Sequence, residues 1–282
     1  MIMGEFGASQ PVARLEDQQL LRGKGRFVDD ETLPGLAHAY VLRSPHAHAV
    51  INRIDATGAM ATAGVLAVLT GADYLADGLG PMPHIGPPIK KRDGSPPFVP
   101  PFTALTRNRA RFVGDAVVLV IAETRDQAKD AAERIEIDYA PLPAVTASAK
   151  AVSGDAAVLW PEIPRNECFV HQIGDKQATE AAFARATHII RQEFAISRVL
   201  ANAMEVRGCI GNYDDREERY HLRAPVQHPY VARKLLAENI FGVPESRFRV
   251  FTDDVGGSFG IKANIYPEYI LALWASQKIG RP

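Results

Sequence analysis

Residues 112–144 read FVGDAVVLVIAETRDQAKDAAERIEIDYAPLPA, and three patterns follow one another inside them. Ala116 to Ala122 is a continuous apolar run, as in a strand buried on both faces. Thr124 can cap a helix, with Gln127 at the capping-box position, and Ala128, Ala131, Ala132 and Ile135 keep helical spacing. Ile135, Ile137 and Tyr139 then alternate as a strand, which Pro141 and Pro143 close. Strand, helix and strand with short joins predict a small α+β unit ending near residue 145.

Upstream, residues 1–20 form a polar lead-in, and the unit itself spans 21–145. Arg26-Phe27-Val28 reads as a strand before the turn Asp29 to Thr32, and Leu36 to Leu42 as a second. Asp55 can cap a short helix through Ala63, and Val65 to Leu69 is a short apolar strand. Residues 77–107 carry many Pro and Gly and no period; so long a loop is expected to be functional or ordered by a partner.

Downstream, 146–173 is a connecting segment and a second region runs over 174–282. Its spacing predicts a helix over Thr179 to Ala186, a strand over Thr187 to Ile196 and another over Arg219 to Ala224. Pro229 opens an amphipathic helix, with Val231, Leu235, Leu236 and Ile240 apolar and Gly242 as its stop. Arg247 to Thr252 is a strand running into the Gly-rich turn Val255 to Gly260, and a last helix starts at Pro267. That helix is apolar enough to need cover on more than one side. This suits either the front part of a longer chain or a terminal helix docked on its own core.

The chain has 282 residues, a net charge of −1 and 46% hydrophobic content, so two globular domains are the default and the composition argues against disorder. The 32 basic and 33 acidic residues are interleaved, which argues against coating nucleic acid. No stretch reaches the length of a membrane span, and the start lacks the apolar core of a signal peptide, so a cytoplasmic location is expected. Cys168 and Cys209 form no CxxC pair, which excludes a disulfide framework and an all-cysteine zinc site.

Within the Gly-rich turn, Gly256, Gly257 and Gly260 allow positive φ and close approach of a ligand to main-chain N–H groups. The spacing is neither GxGxxG nor GxxxxGK[ST], and such a turn is more often a tight connection than a cofactor cradle. Gln227 sits at a strand-to-helix junction, as either a capping residue or a rigidly held amide facing a ligand. His46 and His48 share a strand face without a third ligand nearby, so a structural role is favoured; His221 and His228 are not at ligand spacing. Glu205 and Arg207 are either a local ion pair or an oriented pair holding a cofactor loop. Asp253 and Asp254 are solvated turn residues or a carboxylate pair.

Four stretches together identify a family. GKGRFVDD (23–30) with RSPHAH (43–48) resembles the opening of the hammerhead domain in molybdenum-binding large subunits of the xanthine dehydrogenase and aldehyde oxidase family. Residues 112–144 resemble the end of that domain; NAMEVRGCIG (202–211) resembles the family's NPMEPRG segment, and DVGGSFGIK (254–262) its GGGFGxK cofactor loop. The match covers nearly the whole chain in order and leans toward the carbon monoxide dehydrogenase large-chain branch and its form II relatives.

The resemblance implies a hammerhead domain followed by the beginning of a molybdopterin-binding domain. It implies a molybdenum-molybdopterin cofactor, of the cytosine dinucleotide form usual in bacteria, held only when the rest of the subunit completes the site. By motif match, Gly256, Gly257, Ser258, Phe259 and Gly260 present N–H groups to the metal centre, and Gln227 donates to a molybdenum oxo ligand. Ser258 stands where many relatives have a third Gly and Val206 where many have Pro; Ala263 stands where xanthine-specific members tend to carry Glu, which weakens the case for a purine. Glu205 and Glu268 match other family positions, and the base glutamate is expected in the remaining C-terminal part, so no catalytic residue or direct metal ligand is assigned here. The implied partners are that C-terminal part, an FAD-binding medium subunit, a 2Fe–2S small subunit and a small-molecule substrate; the chain alone is expected to be inactive. A non-catalytic paralogue serving as a binding or assembly module is the rival reading, and downstream coding sequence separates the two.

Overall fold

The computed structural model describes residues 14–84, 86, 89–197 and 199–282. A short helix α1 (Asp17–Leu20) leads to β1 (His38–Arg43), β2 (Ala49–Asp55), α2 (Thr57–Met60), β3 (Val65–Thr70) and α3 (Gly71–Ala76). After the long loop come β4 (Arg109–Ala110), β5 (Ala116–Ala122), α4 (Arg125–Ala132) and β6 (Glu136–Pro141). The second region holds α5 (Lys176–Arg185), β7 (Ile210–Asp214), β8 (Arg219–Arg223), α6 (Pro229–Leu235), β9 (Phe248–Phe251) and α7 (Pro267–Ile279).

β5 is central in an antiparallel sheet of order β1-β5-β3, with Val120 opposite both Tyr40 and Val68. All seven of its residues are buried, and its two faces serve two cores. Val118, Val120 and Ala122 pack with Ala128, Ala131 and Ala132 of α4, while Leu119 and Ile121 face a larger cluster. The N-cap of α4 is Thr124, whose hydroxyl accepts from the Gln127 N–H. A second sheet, β4-β2-β6, pairs Ile51 with Tyr139 and Ile54 with Ile137.

The third sheet, β7-β8-β9, is antiparallel between β7 and β8 and parallel between β8 and β9, with α6 in the crossover. α7 lies so close to β7 that a Cβ on Gly211 would come within 2.5 Å of the Ala272 carbonyl carbon. Tyr269, Ile270, Leu271, Leu273, Trp274 and Ala275 of α7 are buried, so the cover this helix needs comes from within the chain. Trp274 meets Tyr74 of α3 edge to face at 5.6 Å, and its indole N–H donates to Asp77 at 2.7 Å. One core therefore joins Leu119 and Ile121 of the first sheet to Leu222, Leu236 and Trp274 of the second region.

Two expected strands do not form. Arg26-Phe27-Val28 gives way to a 3-10 turn over Val28–Asp30, because the Asp30 carboxylate accepts from the Phe27 N–H and closes the chain locally. Thr187 to Ile196 has no regular structure; its alternation needs a neighbouring strand, and none of the described residues pairs with it. α5 starts earlier than its spacing predicts, at Lys176, because Asp175 accepts from the Ala178 N–H. α6 continues as a π-helical turn over Leu236–Phe241, which ends at Gly242 with φ 63°. The long loop is anchored inside the chain: the Gly80 N–H donates to the Ile240 carbonyl, and the Phe98 N–H to that of Cys168.

Candidate functional site

Parallel β8 and β9 send the loops that follow them out from the same edge of their sheet, the arrangement that places ligands beyond the carboxyl ends of strands. The loop after β8 carries Gln227, and the loop after β9 carries Gly256 to Gly260. They are tied together where the Ala224 N–H donates to the Phe251 carbonyl and the Gln227 N–H to that of Lys262, at 3.1 and 2.9 Å. The Ser258 hydroxyl donates to Gln227 Oε1 at 2.5 Å and accepts from the Lys262 N–H at 3.2 Å.

A third segment, 203–205, backs the loop. The Glu205 N–H donates to the Gly256 carbonyl, while the Gly256 N–H returns a bond to Glu205 Oε2 at 2.8 Å. The same oxygen accepts from Lys262 Nζ at 2.8 Å, and the Lys262 side chain has no solvent exposure. The other oxygen, Glu205 Oε1, is buried and finds no partner among the described residues. A Cβ on Gly256 would lie 2.5 Å from that of Glu205, so only glycine fits there. The N-terminal segment also reaches the loop: the Arg26 N–H donates to Asp254 at 2.8 Å, and the Asp254 N–H donates to the Arg26 carbonyl.

Gly257 and Gly260 take φ of 96° and 89°, and Phe259 between them takes φ 52°. Left-handed backbone costs a non-glycine residue about 1–2 kcal/mol. The Phe259 ring is 79% exposed, so its own packing does not offset that cost. Strain of this kind gathers where a loop must hold one shape for a ligand. The N–H groups of Gly257, Ser258, Phe259 and Gly260 have no acceptor among the described residues, and neither does the Gln227 amide nitrogen. Gln227 is itself exposed. The result is a shallow set of main-chain and amide donors with no carboxylate among them, suited to an anionic or oxo-bearing group.

The remaining candidates support the loop or lie away from it. Glu205 holds the loop, but its partner is Lys262; the Arg207 guanidinium instead lies over the Tyr266 ring at 3.7 Å. The Asp253 carboxylate pairs with the Arg223 guanidinium, whereas that of Asp254 accepts from the Arg26 main-chain N–H, so the two take different partners. His46 packs on Tyr139 and His48 bonds the Pro143 carbonyl at 2.8 Å, both outside a strand. The described residues contain no metal-holding group of three or more His, Cys, Asp or Glu. His221 lies beside Phe251, and burial pushes its pKa down, while the main-chain carbonyl of His228 starts α6. Glu268 pairs with Arg43. Burial pushes the Cys209 thiol up to about 12, so it is not a reactive thiolate. The buried Glu205–Lys262 pair was invisible to local spacing, because the two residues lie 57 apart.

A cavity of about 240 Å³ lies elsewhere, lined by Phe102, Arg111, Phe112, Asp115 and Trp160. Arg111 stacks on Trp160 at 3.6 Å, and desolvation raises the Asp115 carboxyl to about 6. None of the loop residues lines it.

Comparison with known proteins accords with this geometry. The family model described as the a/b hammerhead domain of aldehyde oxidase and xanthine dehydrogenase matches residues 22–143, and the model of the molybdopterin cofactor-binding domain matches 159–282. The carbon monoxide dehydrogenase large chain of Afipia carboxidovorans is 34% identical over 281 residues, covering 95% of this chain and 33% of that one. The nicotine 6-hydroxylase large subunit of Paenarthrobacter nicotinovorans is also 34% identical, covering 96% and 32%. Reconstituted CO dehydrogenase from Oligotropha carboxidovorans superposes with a TM-score of 0.85 at 33% identity, over 96% of this chain and 34% of that one. Quinoline 2-oxidoreductase from Pseudomonas putida 86 gives 0.81 at 34% identity, over 96% and 33%. The chain thus spans about a third of the length of the curated relatives it matches.

Proposed function

Because the chain belongs to the xanthine dehydrogenase and aldehyde oxidase family, as a match to its molybdopterin-binding large subunits, we propose that it forms one wall of a molybdenum-molybdopterin site. In this reading 1–20 is a lead-in, 21–145 the hammerhead domain, 146–173 a connector, and 174–282 the first molybdopterin-binding region. Completed by the rest of a large subunit, it is a cytoplasmic molybdenum hydroxylase acting on an aldehyde, a heterocycle or a CO-like substrate. The chemistry supplied by the cofactor, when bound in its cytosine dinucleotide form, is two-electron oxidation with oxygen drawn from water.

The observation that carries the reading is the donor set. The unpaired N–H groups of Gly257 to Gly260 stand beside the exposed Gln227 amide at the carboxyl ends of β8 and β9. Fixed donors of this kind stabilise charge on oxygen ligands without reorganising during reaction. Among the described residues, the carboxylates nearest these donors are already engaged: Glu205 by Lys262, Asp253 by Arg223 and Asp254 by the Arg26 N–H. In this reading, in line with the family resemblance, the proton-accepting glutamate lies in the rest of the large subunit. That part also has a surface to cover, since Ile190, Ile196 and Met204, in the segment leading to Glu205, are more than nine-tenths exposed. The family resemblance assigns iron–sulfur ligation to a 2Fe–2S small subunit and flavin binding to an FAD-binding medium subunit; the two free thiols, Cys168 and Cys209, offer no clustered set for an iron–sulfur centre. No helix among the described residues is long and apolar enough to cross a membrane.

Gln227→Ala in the completed enzyme is expected to lower kcat about 10²-fold, the usual effect of losing one such donor. Steady-state kinetics on enzyme matched for molybdenum content checks this, and unchanged turnover removes Gln227 from the site.

A further inference from the structure

The backbone of Gln227 is fixed by its N–H bond to the Lys262 carbonyl, but its side chain reaches an exposed surface. Among the described residues, the side-chain hydrogen-bond partner of its amide is Ser258. A glutamine amide is nearly symmetric in shape, so the hydrogen-bond network alone decides which end points where. Here the network decides it. Ser258 Oγ already accepts from the Lys262 N–H at 3.2 Å, and that nitrogen has no lone pair to offer in return. The single hydroxyl proton of Ser258 goes to the amide oxygen, Gln227 Oε1, at 2.5 Å, a distance within the O–H···O range and shorter than an N–H···O bond would take. In the flipped orientation the amide nitrogen would donate to Ser258 across an unusually short gap, the hydroxyl proton would exchange the amide oxygen for solvent, and one N–H would be spent inside the protein.

We propose that Ser258 is a positioning residue: its hydroxyl locks the Gln227 amide with the oxygen inward and both N–H groups free. This deepens the reading in which Gln227 donates to the cofactor, and rests on it. At a position where glycine would serve the turn equally well, the hydroxymethyl group sets the sign of the dipole that Gln227 presents. With glycine or alanine there, the amide samples both orientations, and one of them turns the oxygen lone pairs toward an oxygen ligand. Lys262 relays the arrangement, because its main-chain N–H orients the hydroxyl while its buried ammonium holds the loop through Glu205.

The test uses the full chain without cofactor. A hydrogen bond to the amide oxygen moves the side-chain ¹³Cδ and ¹⁵Nε2 resonances of Gln227 downfield from those of exposed glutamines. In Ser258→Ala and Ser258→Gly both resonances are expected to move upfield to exposed-glutamine values, while Ser258→Thr, which keeps the hydroxyl, holds them in place. Main-chain resonances of Gly256 and Lys262 report whether the loop is intact; the glycine variant only removes atoms and is the one least able to disturb it. If the Gln227 resonances stay put in that variant with the loop intact, the lock does not exist. The experiment contains no molybdenum, so its failure leaves the cofactor reading standing, and a chain that never binds molybdenum leaves the lock standing.

Discussion

Glu205→Ala is expected to lower the unfolding free energy of the chain by about 3–5 kcal/mol, the usual cost of stranding one member of a buried ion pair. Lys262 has no solvent exposure, and among the described residues its ammonium is paired by Glu205 Oε2. The substitution leaves that charge uncompensated and also strips the acceptor from the Gly256 N–H. Glu205→Gln is milder, since its amide oxygen still accepts from both groups. Replacing both partners, with Glu205→Leu and Lys262→Met, recovers most of the loss, because apolar residues of similar volume need no pairing. Urea denaturation followed by circular dichroism measures all three. A loss under about 1 kcal/mol for Glu205→Ala would mean that water reaches Lys262, and that the loop is not held as described.

Trp274→Ala is the second large effect, again about 3–5 kcal/mol, the range for truncating a buried aromatic. The side chain is 1% exposed, packs edge-on to Tyr74 and donates to Asp77. Against the penalty of burial, bonds from Lys278 and Trp274 hold the Asp77 carboxyl below the usual carboxylate range. Removing the indole therefore strands an acceptor as well as opening a cavity. Because Trp274 shares one core with Leu119 and Ile121, the loss is expected to reach the first sheet too. Trp160, the other tryptophan, stacks on Arg111 near that sheet and reports its unfolding by fluorescence. A wild-type midpoint at Trp160 in the variant would show that the two regions fold independently.

Legibility followed locality. The run Ala116 to Ala122 and the Thr124 cap were readable because each depends on neighbours a few residues away. The strand expected over 187–196 was not, because alternation marks only a segment able to join a sheet, and none of the described residues pairs with it. Arg26 to Val28 misled for the opposite reason, since the side chain of Asp30 competed locally and won. At the site, the glycines and Gln227 stood out through the family motif. Their support did not: Glu205 meets Lys262, and Asp254 meets Arg26, across long separations that no local period encodes.

The central proposal is that this loop and glutamine serve a molybdenum cofactor. Elemental analysis of the chain purified from its native host, with its co-purifying proteins identified, tests it most directly. About one molybdenum per chain, together with the remaining large-subunit sequence and the flavin and iron–sulfur subunits, is the expected result. A chain isolated without molybdenum and without those partners would contradict it, and would make the protein a binding or assembly module that keeps the loop but not the chemistry.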